Sequence, residues 1–443
     1  MAAMDHTTLL QGKRITVMGL GLLGRGVGDA EFLAEQGAEL IVTDLKSAEE
    51  LAPSVERLSK FSNITLVLGE HRTEDFLNRD YILKAAGVPL DSPYIQTAGK
   101  AGIPIKMSAS WFAELSKLPI IGITGTRGKS TTTYMLNAIL EKAGKKVLLG
   151  GNVRGVSTLA LLKEVTPEHI ALFELDSWQL QGFGDARMSP TLSLFTTFYP
   201  DHFSYYRNDI DLYLADKANI FLYQKPGDTL ILGEQMALTV IEKYGEDIPG
   251  RVQVAGQNLL PSEWQLLVPG EHNRYDAALA LAAARVLSIP DEISRNALES
   301  FLGVPGRLEL VALKNGISFY NDTNSTTPEA TIVALHALGN EYGKRVILIM
   351  GGHDKGLEMK NLLSLIPDVA KRVVLLSGTG TDRVREELPD ASVFDTLKEA
   401  FDDAVSNAEA GDIVLLSPAF ASFGMFTNEY DRGDQFNALV STL

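Results

Sequence analysis

The sequence predicts an α/β fold made of successive sheet-and-helix units, and three observations carry that expectation. Short apolar runs alternate with amphipathic stretches along the whole chain. Glycine-rich turns follow two of the apolar runs, at Gly19–Gly24 and Gly122–Gly128. The chain has 443 residues, more than one hydrophobic core organises, because domains hold roughly 100–200 residues.

The elements follow in order. A strand near Arg14 to Gly19, a helix through Glu31 to Gln36 and a strand over Glu39 to Thr43 make a β-α-β unit. Gly19-Leu-Gly-Leu-Leu-Gly24 closes the first strand and opens the helix, and Asp44 stands 20 residues past Gly24. Read alone, that arrangement points to a dinucleotide such as NAD. A second unit starts at the apolar run Pro119 to Ile123, passes through the loop Gly122 to Gly128 and enters a helix over Thr133 to Ala143. The bend Gly303-Val-Pro-Gly306 ends a helix over Asp291 to Leu302, and strands resume at Ile317–Tyr320, Arg345–Met350, Arg372–Leu376 and Asp412–Leu416. The expectation is three domains: a Rossmann-like one over 1–108, a central parallel-sheet one with a phosphate loop over 109–303, and a Rossmann-like one over 304–443.

Composition narrows the function. With 45% apolar and 22% charged residues, the chain is that of a folded protein. Its 40 Lys+Arg against 56 Asp+Glu give −16, which disfavours nucleic acid and anionic membranes. An anionic ligand must therefore meet local cations. The sequence has 0 cysteines, which excludes disulfides, thiolate metal sites and a cysteine nucleophile, and fits a reducing compartment. The start MAAMDHTTLLQGKR lacks an apolar signal core, and no run approaches the ~18 apolar residues of a membrane span. The expected setting is the cytoplasm.

The sharpest chemical signal is Ile121-Gly-Ile-Thr-Gly-Thr-Arg-Gly-Lys-Ser-Thr131. Backbone N–H groups of a glycine-rich turn (Gly125, Thr126, Arg127, Gly128) cradle phosphates, Lys129 reaches their oxygens, and Ser130 or Thr131 offers a hydroxyl to Mg²⁺. The spacing is a variant, with Gly122 one residue earlier than the usual leading glycine. The indicated ligand is ATP.

Thr124-Gly-Thr-Arg-Gly-Lys-Ser-Thr131 resembles the ATP loop of the Mur ligase family, whose members activate a carboxylate as an acyl phosphate and attack it with an amine. The resemblance continues in order through all three expected domains. Phe173-Glu-Leu-Asp-Ser-Trp-Gln-Leu180 is similar to a family segment in which Glu174 would hold Mg²⁺ and Gln179 would touch the sugar nucleotide, with Asp176 in place of a serine. Pro200-Asp-His-Phe203 would supply His202 to a second Mg²⁺, and Lys217 matches a lysine carbamylated by CO₂ into an anionic ligand. That modification needs a deprotonated amine, hence a pKa depressed by burial or nearby cations. Asn152 matches an asparagine beside the muramoyl group. Without the resemblance, Glu174 reads as a solvated strand end, His202 as a structural histidine, Lys217 as a surface cation and Asn152 as a turn residue.

Gly270-Glu-His-Asn-Arg-Tyr-Asp276 resembles a second ATP-contacting segment through Asn273, with Asp276 where the family has asparagine. Arg307 would bridge to the γ-phosphate and Asp322 would touch ATP ribose or metal. Thr326, Lys355 and Ser422 would hold the incoming amino acid, and the segments Gly351–Gly356 and Leu416–Gly433 resemble the branch that adds D-glutamate. In the first domain the family holds uridine diphosphate, so Leu22, Leu23, Asp44, Lys46 and Gly87 would line that site. The resemblance thus implies ATP, two Mg²⁺ ions and a carbamylated lysine. It further implies UDP-N-acetylmuramoyl-L-alanine and D-glutamate as substrates, peptidoglycan precursor synthesis as the setting and a monomer as the working form; the alternatives are another amide ligase of the family, with a different amino acid or a folate or polyglutamate acceptor, and a non-catalytic nucleotide-binding protein.

Overall fold

The computed structural model describes residues 7–22 and 24–443. Leu23, one of the expected uridine-site residues, lies outside them. Two compact units divide the chain, residues 1–259 with 278–294 and residues 260–277 with 295–443.

The first unit carries two parallel sheets. Strands β1 (Arg14–Met18), β2 (Glu39–Asp44), β3 (Ile64–Leu68), β4 (Tyr81–Lys84) and β5 (Ile105–Lys106) form a sheet in the order β3-β2-β1-β4-β5. Strands β6 (Ile120–Thr124), β7 (Lys146–Gly151), β8 (His169–Glu174), β9 (Leu192–Phe195), β10 (Thr229–Gly233) and β11 (Arg251–Ala255) form the other, in the order β11-β10-β9-β6-β8-β7. Central strands of parallel sheets are covered on both faces and read as unbroken apolar runs. β6, with sequence IIGIT, is buried at every position.

The expected loop Gly122 to Gly128 is shorter in the structure. Gly122 is a strand residue flanked by Phe173 and Ser193. A Cβ on Gly122 would stand 2.4 Å from the Pro190 ring, so this glycine serves close packing rather than a turn. The turn itself begins at Gly125, and its helix, Lys129–Lys142, starts earlier than the apolar spacing predicted. The other expected elements occur with shifted ends; for example, the helix predicted over Glu31 to Gln36 is Arg25–Glu35.

The two sheets share one apolar core. Helix Ser108–Ser116 buries Trp111 against Tyr81 of β4 at 5.2 Å between ring centroids, and Phe112 against Phe173 of β8 at 5.3 Å. Deleting a ring of this kind costs roughly 3–5 kcal/mol, so both sheets depend on this one helix. A buried acid reinforces the seam: Asp29 accepts hydrogen bonds from Ser108 Oγ at 2.8 Å and Ser157 Oγ at 2.5 Å.

The second unit holds a sheet of β12 (Glu309–Lys314), β13 (Ile317–Asn321), β14 (Val346–Gly351), β15 (Ala370–Leu376), β16 (Ser392–Phe394) and β17 (Ile413–Leu416), ordered β12-β13-β17-β14-β15-β16. Only β12 runs antiparallel among these pairings, as a hairpin with β13. The central strand β14, VILIMG, is buried throughout.

Burial drives the Asp29 pKa from 3.8 up to about 6, although the two serines favour its charged form. An acid with a raised native pKa keeps a proton that the unfolded chain has released. Stability from this site is therefore complete below its unfolded pKa and lost as pH climbs through about 6. Wild-type protein should lose about 2 kcal/mol relative to Asp29→Asn between pH 4.5 and 7.5. Urea unfolding of both proteins at both pH values checks this, and parallel behaviour would refute it.

Candidate active site

The carboxyl ends of β6, β7 and β8 lie side by side, since Ile123 and Gly151 both pair with Glu174. In open parallel sheets this is the edge where ligands are bound. Strand β6 delivers the turn Gly125–Gly128 there. Gly125 has φ 150°, and a Cβ on it would fall 2.0 Å from Thr196 Oγ1, so a side chain is excluded on both conformational and steric grounds. Thr126 N donates to Thr197 O at 2.8 Å and Arg127 N to Thr197 Oγ1 at 2.9 Å. Gly128, at φ 82°, starts the helix that carries Lys129, Ser130 and Thr131 in its first turn.

Two ammonium groups converge on this turn. Lys129 Nζ donates to Gly125 O at 2.9 Å and Thr126 O at 3.1 Å. Lys217, on helix Ile210–Ala218, donates to the same Gly125 O at 2.9 Å and to Thr124 Oγ1 at 3.3 Å. Lys217 is 1% exposed, which a surface cation would not be. Burial first, and the Lys129 charge second, drive its pKa well below the ordinary lysine value. The neutral amine that carbamylation needs is therefore favoured here.

Glu174 is 3% exposed at the end of β8. Its Oε1 accepts from Asn152 Nδ2 at 3.1 Å, and its carbonyl accepts from Asn152 N at 2.7 Å. His202 has φ 54° and a ring packed 4.7 Å from Trp178 and 5.7 Å from Tyr213. Burial lowers its pKa, which favours the neutral imidazole, the form that binds metal. Among the described residues no group of three His, Cys, Asp or Glu side chains is gathered in metal-binding geometry. The donors nonetheless suit Mg²⁺, which takes one or two carboxylates and completes its shell with phosphate oxygens and water. A buried carboxylate at Glu174 and a hydroxyl at Ser130, beside a phosphate loop, are that donor set.

Asp176, the departure noted in the sequence, has a local task. Its side chain caps helix Ser177–Asp185 by accepting from Gln179 N at 2.7 Å, while Gln179 Oε1 accepts from Asp176 N at 3.1 Å. This reciprocal capping box satisfies two helix donors and fixes Gln179. Gln179 also lines a cavity of about 230 Å³ together with Leu22 and Gly87. Asp44 lies at the end of β2, where its Oδ2 accepts from Leu20 N at 2.8 Å and Gly21 N at 3.2 Å and its Oδ1 from Lys46 N at 2.9 Å. It shapes the glycine-rich loop through hydrogen bonds that no motif spacing announces. Arg25 and Lys84 share the cavity and were missed by the sequence reading. A cation one residue past the glycine pattern was the available signal for Arg25.

The second unit gathers two further groups. Asn273 and Asp276, 6% and 4% exposed, stand one turn apart on helix Glu271–Val286, on one face by helical spacing, and Asn273 Nδ2 donates to Pro269 O at 2.6 Å. Asp322, just beyond β13, accepts from Leu308 N at 3.0 Å and Ser417 Oγ at 2.7 Å. Burial raises its pKa to about 6, with the nearby Arg307 charge opposing the shift. Arg307 is exposed, its backbone held by the N–H donated to Val304 O at 2.9 Å. Lys355 Nζ donates to Thr326 Oγ1 at 2.9 Å. Ser422 is 3% exposed and follows the reciprocal backbone pair His353–Ala421, which ties its loop to that of Lys355.

Known proteins match this architecture along its length. Residues 13–107 match the model of the Mur ligase MurD-like N-terminal domain, 123–259 the Mur ligase middle domain and 306–420 the Mur ligase glutamate ligase domain. The chain belongs to the Mur ligase family, and it is a ligase. Its curated relatives include the UDP-N-acetylmuramoylalanine–D-glutamate ligase of Roseiflexus sp. (strain RS-1), 36% identical with 98% of this chain and 99% of that protein covered. The ligase of the same name from Borreliella burgdorferi (strain ZS7) is 35% identical over 96% of this chain and 97% of its own. Among solved structures, UDP-N-acetylmuramate-alanine ligase MurC from Thermotoga maritima has a TM-score of 0.62 at 17% identity, with 97% of this chain and 99% of that one covered. MurF ligase from Thermotoga maritima in complex with ADP has a TM-score of 0.58 at 15% identity, with 98% and 97% covered. At these identities the two structures establish the fold.

The Lys217 shift has a stability consequence of opposite origin to that of Asp29. A base with a depressed native pKa binds fewer protons folded than unfolded, so stability rises with pH until the unfolded lysine also loses its proton. Wild-type protein should gain stability relative to Lys217→Met between pH 6 and 9. Denaturant midpoints of the two proteins at both pH values test this, and an identical pH slope would contradict the buried-amine assignment.

Proposed function

We propose that this ligase joins D-glutamate to UDP-N-acetylmuramoyl-L-alanine at the expense of ATP, in peptidoglycan precursor synthesis. The single observation that carries the reading is the juxtaposition of the Gly125–Lys129 turn with Glu174 at adjacent strand ends. The D-glutamate assignment is supported by relatives of that name at 31–36% identity over nearly the whole chain.

In this reading the turn's N–H groups and Lys129 hold the ATP phosphates, and Asn273, Asp276, Arg307 and Asp322 are the further residues assigned to ATP. The L-alanyl carboxylate attacks the γ-phosphorus in line, ADP leaves and an acyl phosphate forms. The neutral amine of D-glutamate, placed by Thr326, Lys355 and Ser422, then attacks the acyl carbon. The tetrahedral intermediate expels inorganic phosphate, and the amine proton is lost to solvent. Ser130, Glu174, His202 and a carbamylated Lys217 would hold Mg²⁺, which supplies charge neutralisation at the phosphates. Leu22, Asp44, Lys46, Gly87, Asn152 and Gln179 are assigned to the sugar nucleotide, together with Leu23 from outside the described residues, and the glycine-rich Gly19–Gly24 turn is assigned to uridine diphosphate rather than NAD. The domain spans 1–108, 109–303 and 304–443 serve as the three substrate-handling parts of a monomer acting in the cytoplasm. No helix among the described residues is long and apolar enough to cross a membrane.

Phosphate release with ATP, Mg²⁺ and the sugar nucleotide should require D-glutamate and fail with L-glutamate, glycine, L-alanine or diamino acids. Release with another acceptor alone would retain the ligase and refute the substrate. Lys129→Ala should lower turnover about a thousandfold or more, as loss of a transition-state charge contact does. Substantial residual turnover would refute the phosphate-loop assignment. Stripping CO₂ from the buffer should lower activity reversibly, and Lys217→Arg should not respond to added bicarbonate.

A further inference from the structure

The cavity of about 230 Å³ in the first unit is lined by two cations that no motif in the sequence marks, Arg25 and Lys84. Lys84 ends β4 and is 1% exposed. Among the described residues its ammonium donates to a single acceptor, Val88 O at 2.9 Å, so two of its three N–H groups are unused. Asp185, Asp176 and Asp216 act on it only at a distance, and burial lowers its pKa to about 8. A fully buried ammonium with no carboxylate partner is costly unless something else compensates it.

Arg25 adds to the same imbalance. Its guanidinium donates through Nη1 to the neutral amide oxygen of Asn152 at 2.7 Å, and no carboxylate among the described residues is within ion-pair distance. Asp29, which also lines the cavity, already accepts from Ser108 and Ser157. Arg25 opens helix Arg25–Glu35, whose N-cap Gly24 supplies no side-chain cap. The partial positive charge of that N-terminus therefore joins the two full ones. Asp29 offsets Arg25 only through space, and in a chain carrying −16 overall two full positive charges without an ion-paired carboxylate among the described residues favour an anionic occupant.

We propose that Arg25 and Lys84 are specificity-determining residues that grip the diphosphate of the sugar nucleotide in the cavity they line beside the uncapped helix N-terminus. Arg25 has a second consequence. Its bond to Asn152, whose amide in turn donates to Glu174 Oε1 at 3.1 Å, makes a three-residue line from the cavity to the carboxylate beside the phosphate loop. The inference rests on the sugar-nucleotide reading of the first domain and extends it to residues outside the family motif.

The test uses the full-length protein with saturating ADP on the phosphate loop, and calorimetric titration with UDP and, separately, with uridine. Arg25→Met and Lys84→Met should each weaken UDP binding about tenfold or more, as loss of a charge-assisted hydrogen bond does, and leave uridine binding unchanged. Arg25→Lys should restore part of the UDP affinity. Thermal melts of each variant establish that it is folded. Equal losses for UDP and uridine would show that the residues only shape the cavity and would overturn the proposal, as would unchanged UDP affinity. Wild-type protein that binds inorganic diphosphate at Arg25 and Lys84 but not UDP would keep the anion site and refute the sugar-nucleotide reading instead.

Discussion

The nucleotide region depends on where strand β6 stops. Pairing with β8 on one side and β9 on the other fixes its position, and the absence of a side chain at Gly122 lets Pro190 close against it. The chain then turns at Gly125, whose carbonyl oxygen receives both Lys129 and Lys217. Two like charges cannot both stay ionised cheaply at one buried acceptor. The strand ending therefore adds to the burial that lowers the Lys217 pKa, and it sets the path of the phosphate loop. A side chain at Gly125 would collide with Thr196 and disturb both at once.

Much of this was legible in the sequence because it depends on local spacing. Continuous apolar runs mark covered parallel strands, and glycine and lysine at set distances mark a turn able to bind phosphate. What could not be read depends on through-space partners. Asp176 read only as a departure from the family's serine, whereas its position at the helix start makes it the cap that bonds Gln179. Asp44 fitted a dinucleotide-fold spacing, which does not show that its oxygens accept from the Leu20, Gly21 and Lys46 N–H groups. Arg25 and Lys84 meet only because β1 lies between β2 and β4, which brings residues far apart in sequence to one cavity.

The second unit shows the same division between pattern and partner. Asp322 was found by its place after a strand, but its raised pKa arises from burial, against the hydrogen bonds donated by Ser417 and the Leu308 N–H, partners that no linear motif contains. Thr326 and Lys355 were assigned separately to the amino acid, and the structure joins them through one hydrogen bond. The backbone pairing of His353 with Ala421 places Ser422 on the neighbouring loop.

Helix Ser108–Ser116 gives Trp111 to the first sheet and Phe112 to the second, so the two sheets are built on one core. Free energy gained at either sheet then protects the whole body, because a ligand that binds only the folded state stabilises everything that unfolds with it. Occupancy of the cavity beside β1 and β4 thereby adds to the free energy that holds the strand carrying the phosphate loop, without any contact between ligand and loop.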